Sequence, residues 1–493
     1  MIMSPARPSV VPAPRLRPAA SALRHRLLSS VLVLCTLSGL DARAQQPAAE
    51  RLEPVTDQGS DARAQQAELP DFKSWVELAR NNDPALRSAR KETEAMGFGV
   101  DEARAGLLPT VLFSASQTST NQEVLSSQNA VFEKGKATYP GTVYGLTITQ
   151  PLLRLSAWRR LEYARLGAEQ AQWTLAAAEQ DLIVRTSSAY LAVLAARDAV
   201  ELAHSEERAI AALLELMQQK FASKLIAAPA LNEVVGRHEI KRAEVLAAET
   251  ELADRMSALQ EIVGPVALQV LQALPPLRQQ VSVPDPDPAS EQAWREAART
   301  QNPLIRAREL AVQAQEAEVR RIRAAYAPSL DLVLGTNQKK TEGSLFGGGS
   351  EVSTTEFAFN LNYPLYEGGI TRAQLRQALI RHDAALDELE RVRRQIERQS
   401  GTTYRAVIAG KARVVAFEQS VTAYASVREL RQASVEAGIL GVVPLLDAER
   451  DLFRARRDLA QARYDLLVNA LKLRQLSGSL DETDVDALSA MMY

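Results

Sequence analysis

The sequence predicts a mainly α-helical fold with a membrane β-barrel contribution of four strands per chain, and it predicts that this fold is duplicated. Three observations lead to this prediction. Similar motifs recur 213 to 219 residues apart, four segments alternate between apolar and polar side chains, and the longest stretches are rich in Ala, Leu, Glu, Arg and Gln. Alternation with a period of two is typical of strands with one apolar face, whereas those five residue types are strong helix formers.

The first 44 residues have the pattern of a secretory signal peptide. Arg24 and Arg26 precede an apolar run from Leu27 to Leu40, and Ala42-Arg43-Ala44 provides a cleavage site between small residues. Because this run of about 14 residues is shorter than the roughly 20 that a spanning helix needs, a retained membrane anchor is the weaker interpretation. We expect cleavage after Ala44, export of the chain, and a disordered linker over residues 45–69.

Composition excludes several classes of function. The single cysteine, Cys35, lies within the predicted signal peptide, and Leu34 stands before it where lipidation requires a small residue. A mature chain without cysteine has no disulfides, thiolate zinc sites or thiol nucleophiles. The full chain has 58 basic and 60 acidic residues, so nucleic acid is not an expected partner. No stretch of 18 apolar residues follows the signal, which excludes a helical membrane protein.

Two similar halves, residues 70–285 and 286–480, make up most of the chain, and residues 481–493 form a C-terminal tail. The motif Asn82-Asp83-Pro84 recurs as Gln301-Asn302-Pro303 at a distance of 219 residues, and Tyr190 matches Tyr404 at 214 residues. Because a repeat reflects a repeated structural unit, we expect each half to contain a helix, a strand, a loop, a strand, a long helix, a short break and a helix.

Four segments are predicted to be strands. The alternation is clearest around Phe359 and Leu146 and is weaker after Pro109, where the first strand of the first half begins. Each predicted strand is about ten residues long, which suits a tilted strand that spans a membrane. The polar, glycine-containing segments Gln117–Pro140 and Lys339–Ser353 are predicted to be the loops between the strands.

The remaining elements are predicted to be long helices. Residues Leu153–Lys220 and Leu365–Ser434 contain no proline, and a helix of such a length measures about 100 Å. The other helices of each half contain about 33 to 36 residues, so that two of them end to end match one long helix. Leucines recur every seven residues at Leu452, Leu459 and Leu466, which predicts coiled-coil packing.

Four strands cannot close a barrel, because closed membrane barrels begin at about eight strands and open strand edges are not tolerated in lipid. Several copies of the chain are therefore expected to share one barrel. Charged helices of this length would continue the barrel as a tube on one side of the membrane. This architecture indicates a conduit.

The chain resembles the TolC family of outer-membrane channels. The resemblance is carried by Gly106-Leu107-Leu108-Pro109, by the corner Tyr363–Gly369, and by Glu436-Ala437-Gly438 followed by Leu446-Asp447-Ala448, each placed within the duplicated pattern. It implies a homotrimer with a shared 12-stranded barrel in the outer membrane and a helical coiled-coil tunnel in the periplasm. It also implies docking to an inner-membrane pump through a periplasmic adaptor (membrane fusion) protein, for efflux of small molecules or type I protein secretion.

The resemblance suggests a periplasmic gate at Asp447. The family carries rings of acidic residues at the narrow end of the tunnel, and Asp447 matches the second of its two acidic positions. The first position is occupied by Pro444, so a single ring is expected. The alternative is an exposed aspartate in the first turn of a helix, where the helix dipole favours a negative charge.

The break between the two last helices of each half corresponds to the hairpin tips that adaptors contact in the family. The candidate docking residues are Lys224, Leu225, Gly438, Ile439 and Leu440. Exposed apolar side chains at such a tip would fit a partner surface, although ordinary packing between the helices is the alternative.

The strands supply candidates for contact with outer-membrane lipid. They share an apolar side chain at alternate positions and are Tyr144, Leu146, Ile148, Leu330, Leu332, Leu334, Phe357, Phe359 and Leu361. Burial against another protein would produce the same alternation, but four such strands favour lipid.

No catalytic or metal site is predicted. His204, His238 and His382 lie far apart in helical segments without the spacing of a metal site, and no acid pair or Ser/His/Asp order stands out. We therefore expect no cofactor and no enzyme activity. The competing hypothesis is a periplasmic coiled-coil adaptor or scaffold of an export complex, but adaptors have one hairpin between β-rich domains, whereas this chain has two equivalent hairpins.

Overall fold

The computed structural model describes residues 71–125, 135–266, 270–271, 274–275, 283–343, 348–437 and 439–491. The predicted signal peptide, the predicted linker and Gly438 lie outside the described residues. In chain order the helices and strands are α1 (Phe72–Asn82), α2 (Pro84–Ala105), β1 (Thr110–Val124), β2 (Gly135–Leu153), α3 (Leu155–Ala222), α4 (Ala228–Val263), α5 (Glu291–Gln301), α6 (Pro303–Ala324), β3 (Ser329–Thr341), β4 (Ser350–Asn362), α7 (Ile370–Glu436), α8 (Val442–Ser477) and α9 (Glu482–Ala490).

Equivalent corners begin the second helix of each half. Asp83 precedes α2, and its carboxylate accepts a hydrogen bond of 2.8 Å from the backbone N–H of Leu86. Asn302 precedes α6 in the same way and accepts hydrogen bonds from the N–H groups of Leu304 and Ile305. Each corner is followed by proline at the first helical position, where no backbone donor is needed. The repeated motif is therefore a repeated helix start.

The four strands form one antiparallel sheet in the order β1-β2-β3-β4. The strands are longer than predicted, since β1 has 15 residues and β2 has 19. The predicted loop Gln117–Pro140 is wrong at both ends, because β1 continues to Val124 and β2 already begins at Gly135. Backbone hydrogen bonds between β1 and β2 do not require apolar side chains, so the ladder continues beyond the alternating pattern.

The long helices have the predicted lengths, with 68 residues in α3 and 67 in α7. Next to the sheet, α3 packs between α2 and α6, and α6 packs against α7. At the other end, α3 packs between α4 and α8, and α8 packs against α7. Helices α2, α3, α4, α6, α7 and α8 therefore form one layer in which α7 lies at one edge, with α2 and α4 at the other.

The largest hydrophobic core lies where the short helices meet the middle of the long ones. Trp75, Phe72 and Tyr190 are fully buried there, and the rings of Phe72 and Tyr190 meet edge to face at 5.1 Å between centroids. Trp294 and Leu471 belong to the same cluster. None of the described helices combines the length and the apolar character required of a membrane-crossing helix.

Candidate functional site

One face of the sheet is apolar across all four strands. Residues that are directly paired in an antiparallel ladder lie on the same face. The register pairs Ile148 with Leu334, and Leu334 with Phe357. Since side chains alternate along each strand, this register places all nine candidate lipid-facing residues on one face, together with Val111 and Phe113 of β1.

The chain itself leaves much of this apolar face uncovered. Phe357, Phe359 and Leu361 of β4 are 62%, 60% and 69% exposed. The rings of Phe357 and Phe359 contact each other edge to face at 5.2 Å between centroids. An exposed apolar surface of this kind indicates a contact with lipid or with another protein.

The opposite face of the sheet is small and polar. Ser114, Gly145 and Asn337 lie side by side across three strands, and an added Cβ at Gly145 would stand 2.9 Å from the hydroxyl of Ser114. Near the helices, Asp331 on this face accepts two hydrogen bonds from Arg154, the closer at 2.7 Å. This pair fixes the start of α3 against the sheet.

Both outer strands of the sheet have one free edge within the described chain. β1 pairs only with β2, and β4 pairs only with β3. Their outward backbone N–H and C=O groups are therefore available to another strand. Because unpaired backbone groups are not tolerated in lipid, a sheet in a membrane must pair these edges by forming a closed barrel.

The first predicted docking segment is a left-handed helix cap. The N–H of Leu225 donates to the carbonyl of Lys220 at 2.9 Å, and the N–H of Lys224 donates to that of Phe221 at 2.9 Å. Lys224 has a φ of 56°, in the region that normally favours glycine. The second segment contains the same kind of bond as the one that Leu225 makes. The N–H of Ile439 donates to the carbonyl of Ser434, five residues earlier, at 2.9 Å.

The structure brings the two docking segments to the same end of the helices. A tip cluster joins them, made of Ile210, Leu213, Met217, Val234, Val435, Val442, Leu445 and Leu446. Outside this cluster, Leu225 is 73% exposed and Ile439 is 77% exposed, whereas Leu440 is 42% exposed. Because the cluster already supplies the packing of the helices, these exposed side chains are free for other contacts.

Asp447 lies in the second turn of α8, at the same end, and belongs to a row of alternating charges. Its Oδ1 is 3.7 Å from a guanidinium nitrogen of Arg237 in α4 and 3.4 Å from one of Arg450. Arg237 also pairs with Glu233, and Arg450 with Asp451, each at 3.0 Å. Arg237 is not predicted from the sequence, because it lies in the other half of the chain and shares no local pattern with Asp447.

A buried glutamate farther along the bundle ties three helices together. Glu206 of α3 is 2% exposed, and its carboxylate lies 2.8 Å from Lys241 of α4 and 3.8 Å from Arg457 of α8. Burial lowers the pKa of Lys241, but its hydrogen bonds with Glu206 and Glu244 outweigh this and raise the pKa overall. No sequence signal distinguished Glu206 from the neighbouring solvated charges.

Three histidines lie in the described residues, and they form separate pairs with nearby acids. His238 lies 2.9 Å from Glu207, His204 lies 3.3 Å from Glu249, and His382 lies 3.4 Å from its neighbour Asp383. Within the described ranges, no group of three possible ligands is arranged to hold a metal ion.

Comparison with protein families identifies a relationship over most of the chain. The family model described as "Outer membrane efflux protein" matches residues 75–265 and 294–479, one segment in each half. The outer membrane protein TolC of Vibrio cholerae is 28% identical over 414 residues, which are 84% of this chain and 91% of TolC. The alkaline protease secretion protein AprF of Pseudomonas aeruginosa is 29% identical over 413 residues, or 84% of this chain and 85% of AprF.

A solved structure has the same fold. The CmeC outer membrane channel of Campylobacter jejuni superposes with a TM-score of 0.73 over 85% of this chain and 89% of CmeC, at 15% sequence identity. The arrangement of the long helices and of the four-stranded sheet is therefore shared with a known channel.

Proposed function

This chain belongs to the outer membrane efflux protein family, and we propose that three copies of it assemble into one exit duct. It is an outer-membrane channel protein related to efflux and type I secretion channels, with its helices in the periplasm. One observation carries the proposal, namely a sheet with a continuous apolar face and two free edges. If β4 of one copy pairs with β1 of the next, three copies close a barrel of twelve strands without an open edge.

The helical layer supports the same pairing of copies. α7 forms one edge of the layer and carries exposed apolar side chains such as Ile380 and Leu430, which are 69% and 70% exposed. The opposite edge carries Phe98 on α2 and Leu246 on α4, which are 66% and 65% exposed. Contact between these edges in neighbouring copies would cover apolar surface along the whole tunnel wall.

The proposal is tested by the mass and conductance of the full-length product purified from outer membranes. We expect a detergent-resistant oligomer with the mass of three mature chains, and stable ion conductance when it is added to a planar lipid bilayer. A variant that lacks the second strand pair, residues 329–363, is the control and should neither assemble nor conduct. A soluble monomer from the unaltered chain would contradict the proposal.

We further propose that the exposed tip residues dock a periplasmic adaptor, which connects the duct to an inner-membrane pump. Leu225, Ile439 and Leu440 present apolar surface at the end of the hairpins farthest from the sheet, and the tip cluster holds the two hairpins side by side. Lys224 precedes Leu225 and Gly438 precedes Ile439 in the sequence, and both are included in the proposed docking site. The cargo, a small molecule or a secreted protein, is then selected by the pump rather than by the wide duct.

Docking is tested with charged substitutions at the tip. Leu225→Asp and Ile439→Asp should weaken export that depends on the adaptor, while the oligomer and its conductance stay unchanged, because the tip lies far from the barrel. Trp173→Asp is the control, since Trp173 is also exposed, at 38%, but lies on α3 inside the helical layer, away from both edges and about 70 Å of helix from the tip. Export that is unaffected by both tip variants would leave these residues with a packing role only.

Asp447 is proposed as the gate residue of the same duct. The row formed by Glu233, Arg237, Asp447, Arg450 and Asp451 contains three acids and two arginines, so this row carries one excess negative charge in each copy. Three such charges around a narrow aperture attract cations more strongly than they would in open solvent. The excess negative charge depends on Asp447, because its removal makes the row neutral.

Single-channel recording tests this assignment. Asp447→Asn should reduce block by trivalent cations and lower cation selectivity. Asp254→Asn removes the same charge from an exposed site of α4 and serves as the control. If trivalent cations block Asp447→Asn as strongly as they block the unaltered channel, Asp447 has no role in the gate and is only a residue near the start of α8.

A further inference from the structure

A collar of large exposed side chains lies where the sheet meets the helices. We define the collar as Trp158 in the first turn of α3, Tyr326 between α6 and β3, and Leu365 and Tyr366 between β4 and α7. These side chains are 58%, 46%, 84% and 85% exposed. Tryptophan and tyrosine are enriched at the boundary between membrane and water, where an apolar ring and a polar group are both satisfied.

The apolar face of the sheet reaches the end of the sheet that adjoins the helices. Its last residues at this end are Leu361 of β4 and Leu330 of β3, which pair with each other. At the other end it extends on β2 as far as Tyr144. Because the apolar band of an outer-membrane barrel is bordered by aromatic residues at both interfaces, the collar next to Leu361 and Leu330 lies at the membrane boundary.

Two cavities identify the outer side of the helical layer. A cavity of about 840 Å³ spans α2, α3, α6 and α7 and is lined on α3 by Ala164 and Gly167. A separate groove of about 410 Å³ lies between α3 and α6 and is lined by Trp158 and Arg165. Ala164 and Gly167 lie on the face of α3 opposite Trp158 at 3.6 residues per turn. The cavity that spans four helices marks the concave side of the helical layer. Trp158, on the opposite face of α3, therefore lies on the convex, outward side of the layer.

Three arginines next to the collar have no acidic partner among the described residues. Arg323 lies in the last turn of α6, and Arg372 and Arg376 lie in the first two turns of α7, all of them exposed. Other arginines near the junction are paired, for example Arg154 with Asp331 and Arg160 with Glu102. The three therefore keep their hydrogen-bonding capacity for a ligand outside the chain.

The three arginines lie at similar depth and on the outward side. Val319 and Ile322 of α6 pack against Ala378 of α7, which brings the two helix ends together. Arg376 lies six residues into α7, about 9 Å from its start. Since the interfacial layer of a bilayer is about 5 to 8 Å thick, the long side chain of Arg376 can reach this layer from α7. Arg372 and Arg376 are roughly 140 to 180° around α7 from Arg381, and Arg323 is roughly 180° around α6 from Ala314. Arg381 and Ala314 both line the concave cavity, so the three arginines lie on the opposite side.

We propose that the collar and these three arginines form a binding surface for the phosphate groups of phospholipids in the inner leaflet of the outer membrane. The collar side chains enter the interfacial layer, and the guanidinium groups of Arg323, Arg372 and Arg376 donate hydrogen bonds to lipid phosphate oxygens. Arginine suits this role because its planar fork binds phosphate with two parallel bonds and keeps its charge at any physiological pH. The inference rests on the membrane assembly proposed above.

Native mass spectrometry of the purified oligomer tests the proposal. The probes are phosphatidylglycerol, phosphatidylethanolamine and diacylglycerol with identical acyl chains, of which the last lacks phosphate. The variant carries Arg323→Gln, Arg372→Gln and Arg376→Gln. Its matched control carries Arg87→Gln, Arg398→Gln and Arg454→Gln, three exposed arginines that have no acidic partner in the described chain and lie far from the sheet.

We expect the unaltered oligomer to retain both phospholipids more strongly than diacylglycerol. The affinity of the variant for phosphatidylglycerol should fall by roughly fivefold per arginine, since one basic side chain near an anionic membrane surface contributes about 1 kcal/mol. The control should retain the lipid as the unaltered oligomer does. Equal retention by variant and unaltered oligomer, equal loss in the control, or equal retention of diacylglycerol would each overturn the proposal.

Conductance measured on the same preparations separates this inference from the proposed function. An unaltered chain that forms no conducting oligomer would contradict the channel assembly itself. A conducting oligomer whose phospholipid affinity does not depend on the three arginines would contradict the lipid surface alone.

Discussion

The two faces of β4 provide the sharpest test of how the sheet meets the membrane. Phe359 and Ala358 are neighbours in the chain, but Phe359 lies on the apolar face opposite Leu332, whereas Ala358 lies on the polar face opposite Val333. Phe359→Arg therefore places a charge on the proposed lipid side. Ala358→Arg places the same charge on the proposed interior side at the same height, and it is the matched control.

The expected magnitude follows from the position of Phe359 within the apolar face, between Phe357 and Leu361. An arginine that faces lipid near the bilayer centre costs about 2 to 4 kcal/mol, so three copies in one barrel lose about 6 to 12 kcal/mol. This is comparable to the whole stability of a typical domain. The interior of such a barrel contains water, and Glu356 and Asn360 flank Ala358 on the polar face, so an arginine there stays solvated and the control should lose little.

Assembly is measured as the fraction of detergent-resistant oligomer in outer-membrane fractions and after refolding into lipid vesicles. We expect Phe359→Arg to abolish this fraction and Ala358→Arg to retain most of it. Loss in Ala358→Arg with normal assembly of Phe359→Arg would show that the faces are reversed. Equal assembly of both variants would show that the sheet does not contact lipid at this height.

Other predictions concern the helices and use unfolding of the solubilised oligomer. Lys224→Gly should raise stability by about 1 kcal/mol per chain, because glycine adopts the left-handed cap without strain; an unchanged or lower melting temperature would contradict this. Burial raises the pKa of Asp83, but Arg185 and a backbone N–H lower it overall, so its ionised form stabilises the fold above about pH 4. Asp83→Asn should therefore cost about 1 kcal/mol at pH 7, and the difference from the unaltered chain should vanish as the pH falls through the lowered pKa, whereas a constant difference would exclude the ion pair as its cause. Gly478→Ala should destabilise by about 1 to 3 kcal/mol, because Gly478 has a φ of 75° and an added Cβ would meet the backbone carbonyl of Gln301, while Gly167→Ala, in open space, should not; equal melting temperatures would refute the close approach.

Much of the architecture follows from short-range patterns in the sequence. The duplication, the strand alternation around Leu146 and Phe359, and the two long helices appear in the structure where the sequence predicts them. The corner at Asp83 is also local, because a helix start is fixed by the capping side chain and the proline that follows it. Such features depend on residues within one or two turns of each other.

The tertiary structure decided the features that join distant parts of the chain. The sequence identified Asp447, but only the packing of α4 against the rest of the bundle brings Arg237 to it across 210 residues. The alternation predicted an apolar face for each strand, whereas the register between β2 and β3 aligned those faces into one surface. Strand ends, ion pairs and the strained cap at Lys224 depend on long-range contacts and backbone hydrogen bonds, which leave no periodic signal in a single sequence.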